Sequence, residues 1–158
     1  MSNVTTIGTL DASKQAALSA TAANSQRNFG IDTSCTKALR TGVLVSGVLL
    51  VAQAAYRRLS TPRGSLYGGE DEANYGLDLA GLLGSADTPN QEAAVPGQVE
   101  VELLKDERID SVTVTLSSVK EGPSVSWTVT VQAQTGLGPF SLILGVQDVT
   151  VELLGIAA

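Results

Sequence analysis

Val112-Thr113-Val114-Thr115-Leu116-Ser117 alternates apolar side chains with small hydroxylated ones. That is the period of two in which one face of a strand meets a core and the other meets water. It begins just after Ile109 and governs the rest of the chain. Val125, Trp127, Val129, Val131 and Ala133 alternate with Ser, Thr and Gln; Phe140, Leu142 and Leu144 repeat the pattern, as do Val149, Val151 and Leu153. Glu121-Gly122-Pro123 and Gly136-Leu137-Gly138-Pro139 separate the runs, and glycine with proline at these places marks turns. Strands joined by such short turns must pair antiparallel, because a parallel pair needs a crossover of a dozen or more residues. The C-terminal half is therefore predicted to be an antiparallel sheet with one buried face.

Upstream of Ile109 the pattern is helical. Residues 41–59 are predicted as one helix, apolar around nearly its whole circumference and so buried on several sides. Its run Val43-Leu44-Val45-Ser46-Gly47-Val48-Leu49-Leu50-Val51-Ala52 ends at Gln53 and a double arginine. That is well short of the ~20 residues a membrane span needs. Pro62 stops the helix and Gly64 supplies the turn. Residues 68–74 are expected to form a solvated acidic loop. Its Glu70, Asp71 and Glu72 lack the spaced carboxylates of a calcium-binding loop. A short helix is predicted over 77–83, ended by Gly84. Thr88-Pro89-Asn90-Gln91 has the form of a capping box with proline at the first helical position. Pro96 is expected to cut that helix short. A further helix is expected over 96–107, with Val99, Leu103 and Leu104 on its inner side. Helices first and sheet last make an α+β domain, N-terminal helices packed on a C-terminal antiparallel β-sheet.

The folded body is expected to span 29–158, beginning at Phe29-Gly30-Ile31-Asp32. Residues 1–28 are small and polar and read as a flexible N-terminal arm, with a short helix over 12–23 capped by Asp11. They have neither the charged start nor the apolar run of a secretion signal. A chain of 158 residues suits one domain with some length left for an arm.

Charge and chemistry narrow the function. Sixteen acids against ten bases give a net charge of -6, which argues against nucleic acid as the partner, since phosphate neutralisation needs clustered Lys and Arg. Histidine is absent, removing the commonest general base and metal ligand. Cys35 stands alone, so no internal disulfide forms and a reduced compartment is permitted. Glu100 and Glu102, two apart on a helix, face different sides and do not share a substrate. Glu107 lies next to Arg108 and Asp110, where ion pairing accounts for all three. Ser65 has no elbow motif and no histidine. Gly136 and Gly138 lie between strands, where no helix N-terminus can cradle a phosphate. The expectation is a protein without catalytic residues, cofactor or metal site, not an enzyme. Its one basic cluster, Arg57, Arg58 and Arg63, either complements a helix C-terminus or faces a partner. At least one of the three is expected to contact a neighbouring subunit or the Tyr75-Gly76-Leu77-Asp78 segment of its own chain.

Arg57-Arg58-Leu59-Ser60-Thr61-Pro62-Arg63-Gly64-Ser65-Leu66, then Tyr75-Gly76-Leu77-Asp78-Leu79, then Asp106-Glu107-Arg108-Ile109 opening a run of strands, resembles the baseplate wedge family of contractile phage tails. This is the sheath-initiator family, with some members labelled lysozyme-like and relatives in type VI secretion. The likeness spans about 29–154. The family carries a Glu-Pro-Arg triplet at the end of its last helix, where wedge subunits join; here the position reads Asp106-Glu107-Arg108, with the arginine kept and the proline missing. The resemblance implies a virion structural protein of the tail baseplate, assembled in the host cytoplasm in multiple copies with sixfold symmetry. Its implied partners are other wedge proteins and the tail sheath protein, with the tail tube or hub as further candidates. Arg108 is then expected to dock against the wedge partners, without nucleic acid or membrane. Two other readings share these residues: a tail-completion or connector protein of a non-contractile tail and, remotely, a peptidoglycan hydrolase, for which no carboxylate pair is evident.

The resemblance also implies a mechanism, in which a sheath-subunit extension adds a strand to the protein's own sheet. Segments 124–134 and 146–154 contain no Lys, Arg or Pro, the residues that usually defend an open edge. Thr128 and Thr150 are the positions in them where proline is expected to remove a backbone donor from the true edge strand.

Overall fold

The computed structural model describes residues 29–34, 44–85, 89–147 and 150–158. The expected arm over 1–28, Cys35, Thr88 and Val149 lie outside the described residues. Strands β3 (Ile109–Glu121), β4 (Ser124–Thr135), β5 (Gly138–Gln147) and β6 (Thr150–Ala157) form one antiparallel sheet in chain order. The alternation sets its two faces. Trp127, Val129, Val131 and Ala133 of β4 and Phe140, Leu142, Leu144 and Val146 of β5 are buried, while Thr128, Gln132 and Gln147 on the opposite face are exposed. Gly122, at φ 63, takes the first position of the two-residue turn between β3 and β4, a conformation that glycine adopts at no steric cost and that matches the strands' twist.

Helices α1 (Gly47–Ser60), α2 (Glu70–Ala73), α3 (Leu79–Ser85) and α4 (Pro89–Leu103) precede the sheet, and α1, α3 and α4 cover its apolar face. One core joins the layers: Val51, Ala52, Ala55 and Leu59 of α1, Leu79 of α3, and Val95, Val99 and Leu103 of α4 pack with the inner residues of the strands. The architecture is α+β.

Five local expectations differ from what is observed. Leu44–Ser46, expected in the first helix, is a strand, β2, paired antiparallel with β1 (Ile31–Thr33). Gly47 follows at φ 64, a left-handed kink that divides one apolar run between a strand and a helix. The acidic loop contains one turn of helix, α2, closed by the Gly69 N–H donating to the Glu72 carboxylate at 2.7 Å. Helix α3 starts at Leu79, not Leu77, because the Asp78 carboxylate accepts the Gly81 N–H at 3.1 Å and so satisfies one free donor of the first turn. Helix α4 runs unbroken through Pro96. Proline removes one backbone bond there, but Val95, Val99 and Leu103, spaced i, i+4, i+8, bury on one face across it, and packing holds the two halves in line. Leu104, expected inside, is 48 % exposed.

Candidate functional site

Helix α1 ends where Pro62 requires, with Thr61 extended. The hydroxyls of Ser60 and Thr61 donate back to the carbonyls of Tyr56 and Arg57, and the Leu77 N–H donates to the Arg58 carbonyl at 2.9 Å. Carbonyls that a helix end leaves unpaired are thereby satisfied within the corner. Gly76, at φ 101, passes so close that a Cβ there would strike the Thr61 carbonyl oxygen; no other residue fits.

Glu102 closes this corner. Its side chain is 1 % exposed, and it accepts from Arg58 at 2.9 Å, Arg63 at 2.7 Å and Lys105 at 2.7 Å. The Gly76 N–H adds a fourth bond at 3.1 Å. Burial alone would raise its carboxyl, but the hydrogen bonds from Lys105, Arg58 and the Gly76 N–H outweigh it and hold the group below its ordinary value. Arg63 also donates through Nε to the Gly76 carbonyl at 3.2 Å, and the Arg58 guanidinium lies 4.3 Å from the centre of the Tyr75 ring, close enough for cation–π attraction. Arg58 and Arg63 thus reach Tyr75 and Gly76 of their own chain. Arg57, one residue from Arg58, points elsewhere and pairs with Asp32 of β1 at 2.7 Å.

At the end of α4, Arg108 grips Asp106 with both prongs, Nε to Oδ1 at 2.8 Å and NH2 to Oδ2 at 2.5 Å, and its NH1 reaches the Phe29 carbonyl at 3.3 Å. The hydrogen bonds it donates to Asp106 hold the Arg108 guanidinium above its ordinary value. Burial would raise the Asp106 carboxyl, but Arg108 outweighs it and lowers it. Asp106, not Glu107, is therefore the partner of this arginine, and Glu107 is exposed. The fork expected to meet a wedge partner is filled from its own chain, where it ties the start of the folded body to the end of the last helix.

The two sheet positions separate. Thr128 sits on β4, between Ser117 of β3 and Gly145 of β5; it is interior, and a proline there would break the ladder instead of blocking an edge. Thr150 is on the edge strand β6 but pairs with Gln147 of β5. Its neighbour Val151 turns its carbonyl outward to Tyr56, so by the period of two Thr150 directs its own bonds inward. Each outer edge meets one helix side chain. On β3 the Val114 N–H is taken by the Glu100 carboxylate of α4 at 3.1 Å. On β6 the Val151 carbonyl accepts from the Tyr56 hydroxyl of α1 at 3.2 Å, and no strand among the described residues pairs with either edge.

Sequence reasoning missed Glu102, Glu100 and Tyr56 as structural partners. One signal for Glu102 was present: it lies i+7 from Val95 and i+3 from Val99, on the buried stripe of α4, where a carboxylate requires cations. Among the described residues no group of three acidic, His or Cys side chains is placed to hold a metal ion, and no helix is long and apolar enough to cross a membrane.

Comparison of the chain with family models, curated proteins and solved structures finds no match.

Proposed function

We propose that this chain is a structural subunit of a contractile phage-tail baseplate, one that joins wedge proteins and initiates the sheath by accepting a strand. The observation that carries the reading is the outer edge of β6, which ends the sheet with no strand against it among the described residues and contains no Lys, Arg or Pro. Isolated proteins normally defend such edges; this one carries the Tyr56 bond at Val151 and a register shift beside Leu153 but no block by Lys, Arg or Pro, which suits strand addition. The opposite edge, β3, receives a comparable single bond from the Glu100 carboxylate at Val114, but unlike β6 it contains a lysine, Lys120.

The test uses Leu153. Val151 faces outward, as the bond from Tyr56 to its carbonyl indicates, and the period of two gives Leu153 the same direction. Leu153→Pro therefore removes an outward N–H while sparing the pairing with β5. Because Leu153 also packs against the core, Leu153→Ala is the control. The expected result is that the proline variant unfolds close to the alanine variant, but only the proline variant fails to nucleate sheath polymerisation when mixed with sheath protein and the wedge. Sheath of normal length assembled on the Leu153→Pro protein would overturn the reading.

A further inference from the structure

Residues 63–76 leave the body and return to it at one point. At that neck Arg63 donates to the Gly76 carbonyl at 3.2 Å, and both the Arg63 guanidinium and the Gly76 N–H bind Glu102, at 2.7 and 3.1 Å. Every residue from 63 to 74 is exposed. Excursions with their ends held together are Ω-loops, which ordinarily pack on their own side chains and are frequently functional. This one turns its largest apolar groups outward: Tyr67 is fully exposed and Leu66 is 42 % exposed. A tyrosine on a tied loop is the kind of residue that anchors protein interfaces, because little freedom remains to be lost on binding.

Beside the neck lies a groove of about 550 Å³ whose lining includes Leu77, Gly97 and Val101, with Arg63 and Lys105 at one end. Helix α4 forms most of it. That helix buries Val95, Val99 and Leu103 on one side and carries Val101, 65 % exposed, on the other, where Leu77 and Ala94 complete a small apolar floor. The charges of loop and groove are opposite. The loop carries Glu70 and Asp71 in solvent, whereas the groove is lined by two cations, Arg63 and Lys105, against the single carboxylate of Glu102, leaving positive charge in excess.

We propose that two copies of this chain associate by exchanging loops, Tyr67 of each entering the α4 groove of the other while Glu70 and Asp71 meet Arg63 and Lys105. Loop and groove are adjacent on one face, so the exchange is reciprocal about a two-fold axis. The inference is independent of the baseplate reading.

Sedimentation equilibrium on the full chain tests it. The expected result is a concentration-dependent dimer that loosens as salt is added. Tyr67→Ser should weaken it by ~10-fold or more, the loss typical of an interface anchor. Gly97→Leu places a helix-favouring side chain where a Cβ meets nothing within 4 Å. It should fill the groove and abolish the dimer while the unfolding temperature stays level or rises, which separates blocked docking from misfolding. A chain that stays monomeric at roughly 100 μM in low salt, a concentration at which even a micromolar interface is occupied, would overturn the proposal. So would a dimer that neither variant disturbs, or a larger assembly that both variants break.

Discussion

Arg57 and Arg58 are neighbours at the end of α1, and each holds a carboxylate, but the two pairs have little else in common. The Arg57–Asp32 pair lies in solvent, with side chains 39 % and 41 % exposed. The Arg58–Glu102 pair is 16 % and 1 % exposed, and its carboxylate also binds Arg63, Lys105 and a backbone N–H. Desolvation is a heavy cost for a charge unless every lone pair is satisfied, and at Glu102 the donors are present to meet it. The difference shows that the basic cluster is two sites with separate tasks. Arg58 and Arg63 organise the neck of the loop; Arg57 decorates the surface between α1 and the β1–β2 ribbon.

Removing the Glu102 charge is the most direct way to break that comparison. Glu102→Gln leaves three cations around a neutral amide, and the expected destabilisation is about 3 kcal/mol, the low end for stripping one member from a buried ion pair, because Arg63 and Lys105 can turn to water. In a chain of this length that lowers the unfolding temperature by roughly 6–12 °C. The loop over 63–76 should also become the first site of limited proteolysis, since its neck is no longer held. A variant that melts with the wild type would show that the corner behaves as surface.

Acid sharpens the same contrast. Glu102 and Asp106 are both held below their ordinary values of 4.5 and 3.8. A carboxyl lowered in the folded state contributes stability that is complete above its unfolded value and is lost as pH falls through the folded one. With no histidine in the chain, no imidazole titrates across pH 5 to 8. The unfolding temperature should therefore be level through that range and fall below about pH 4.5. In Glu102→Gln the fall should be shallower, by the share that Glu102 supplies. An equally steep acid limb in the variant would assign the acid sensitivity to Asp106 and the other carboxylates.

The sheet was legible in sequence because its signal is local. Alternation over four segments sets both faces, and Glu121-Gly122-Pro123 sets a turn, without reference to anything distant. Helix α4 was misread at Pro96 because the proline penalty is local, whereas the packing that overrides it comes from α1 and β3. Gly47 shows the converse: a glycine inside an apolar run looks like a tolerated helix residue, and only the pairing of β2 with β1 reveals the kink. The corner was legible as far as its cations and its turn at Gly64. Its centre was not, because Glu102 is 44 residues from Arg58 and 26 from Gly76 in sequence, and nothing local joins them. The sheet edge was half legible. Undefended segments could be seen, but which of them ends the sheet depends on strand order, and that order places Thr128 inside.

The smallest effect is expected at Asp32, the other half of the comparison. Its carboxyl is lowered first by the hydrogen bond from Arg57 and then by the Thr33 N–H, which donates at 2.7 Å. Both groups stand in water, where an ion pair gives back in side-chain entropy and screening most of what it gains. Arg57 loses little when its partner goes, because a cation in the last turn still faces the helix's negative end. Asp32→Asn also keeps an oxygen for the Thr33 N–H. The expected result at physiological salt is an unfolding temperature indistinguishable from wild type, with a slight decrease appearing only at low ionic strength, where surface charges are least screened. A decrease approaching that of Glu102→Gln and unchanged by salt would mean that this pair clamps the β1–β2 ribbon to α1, and that exposure is a poor guide to which of the two arginines holds the fold.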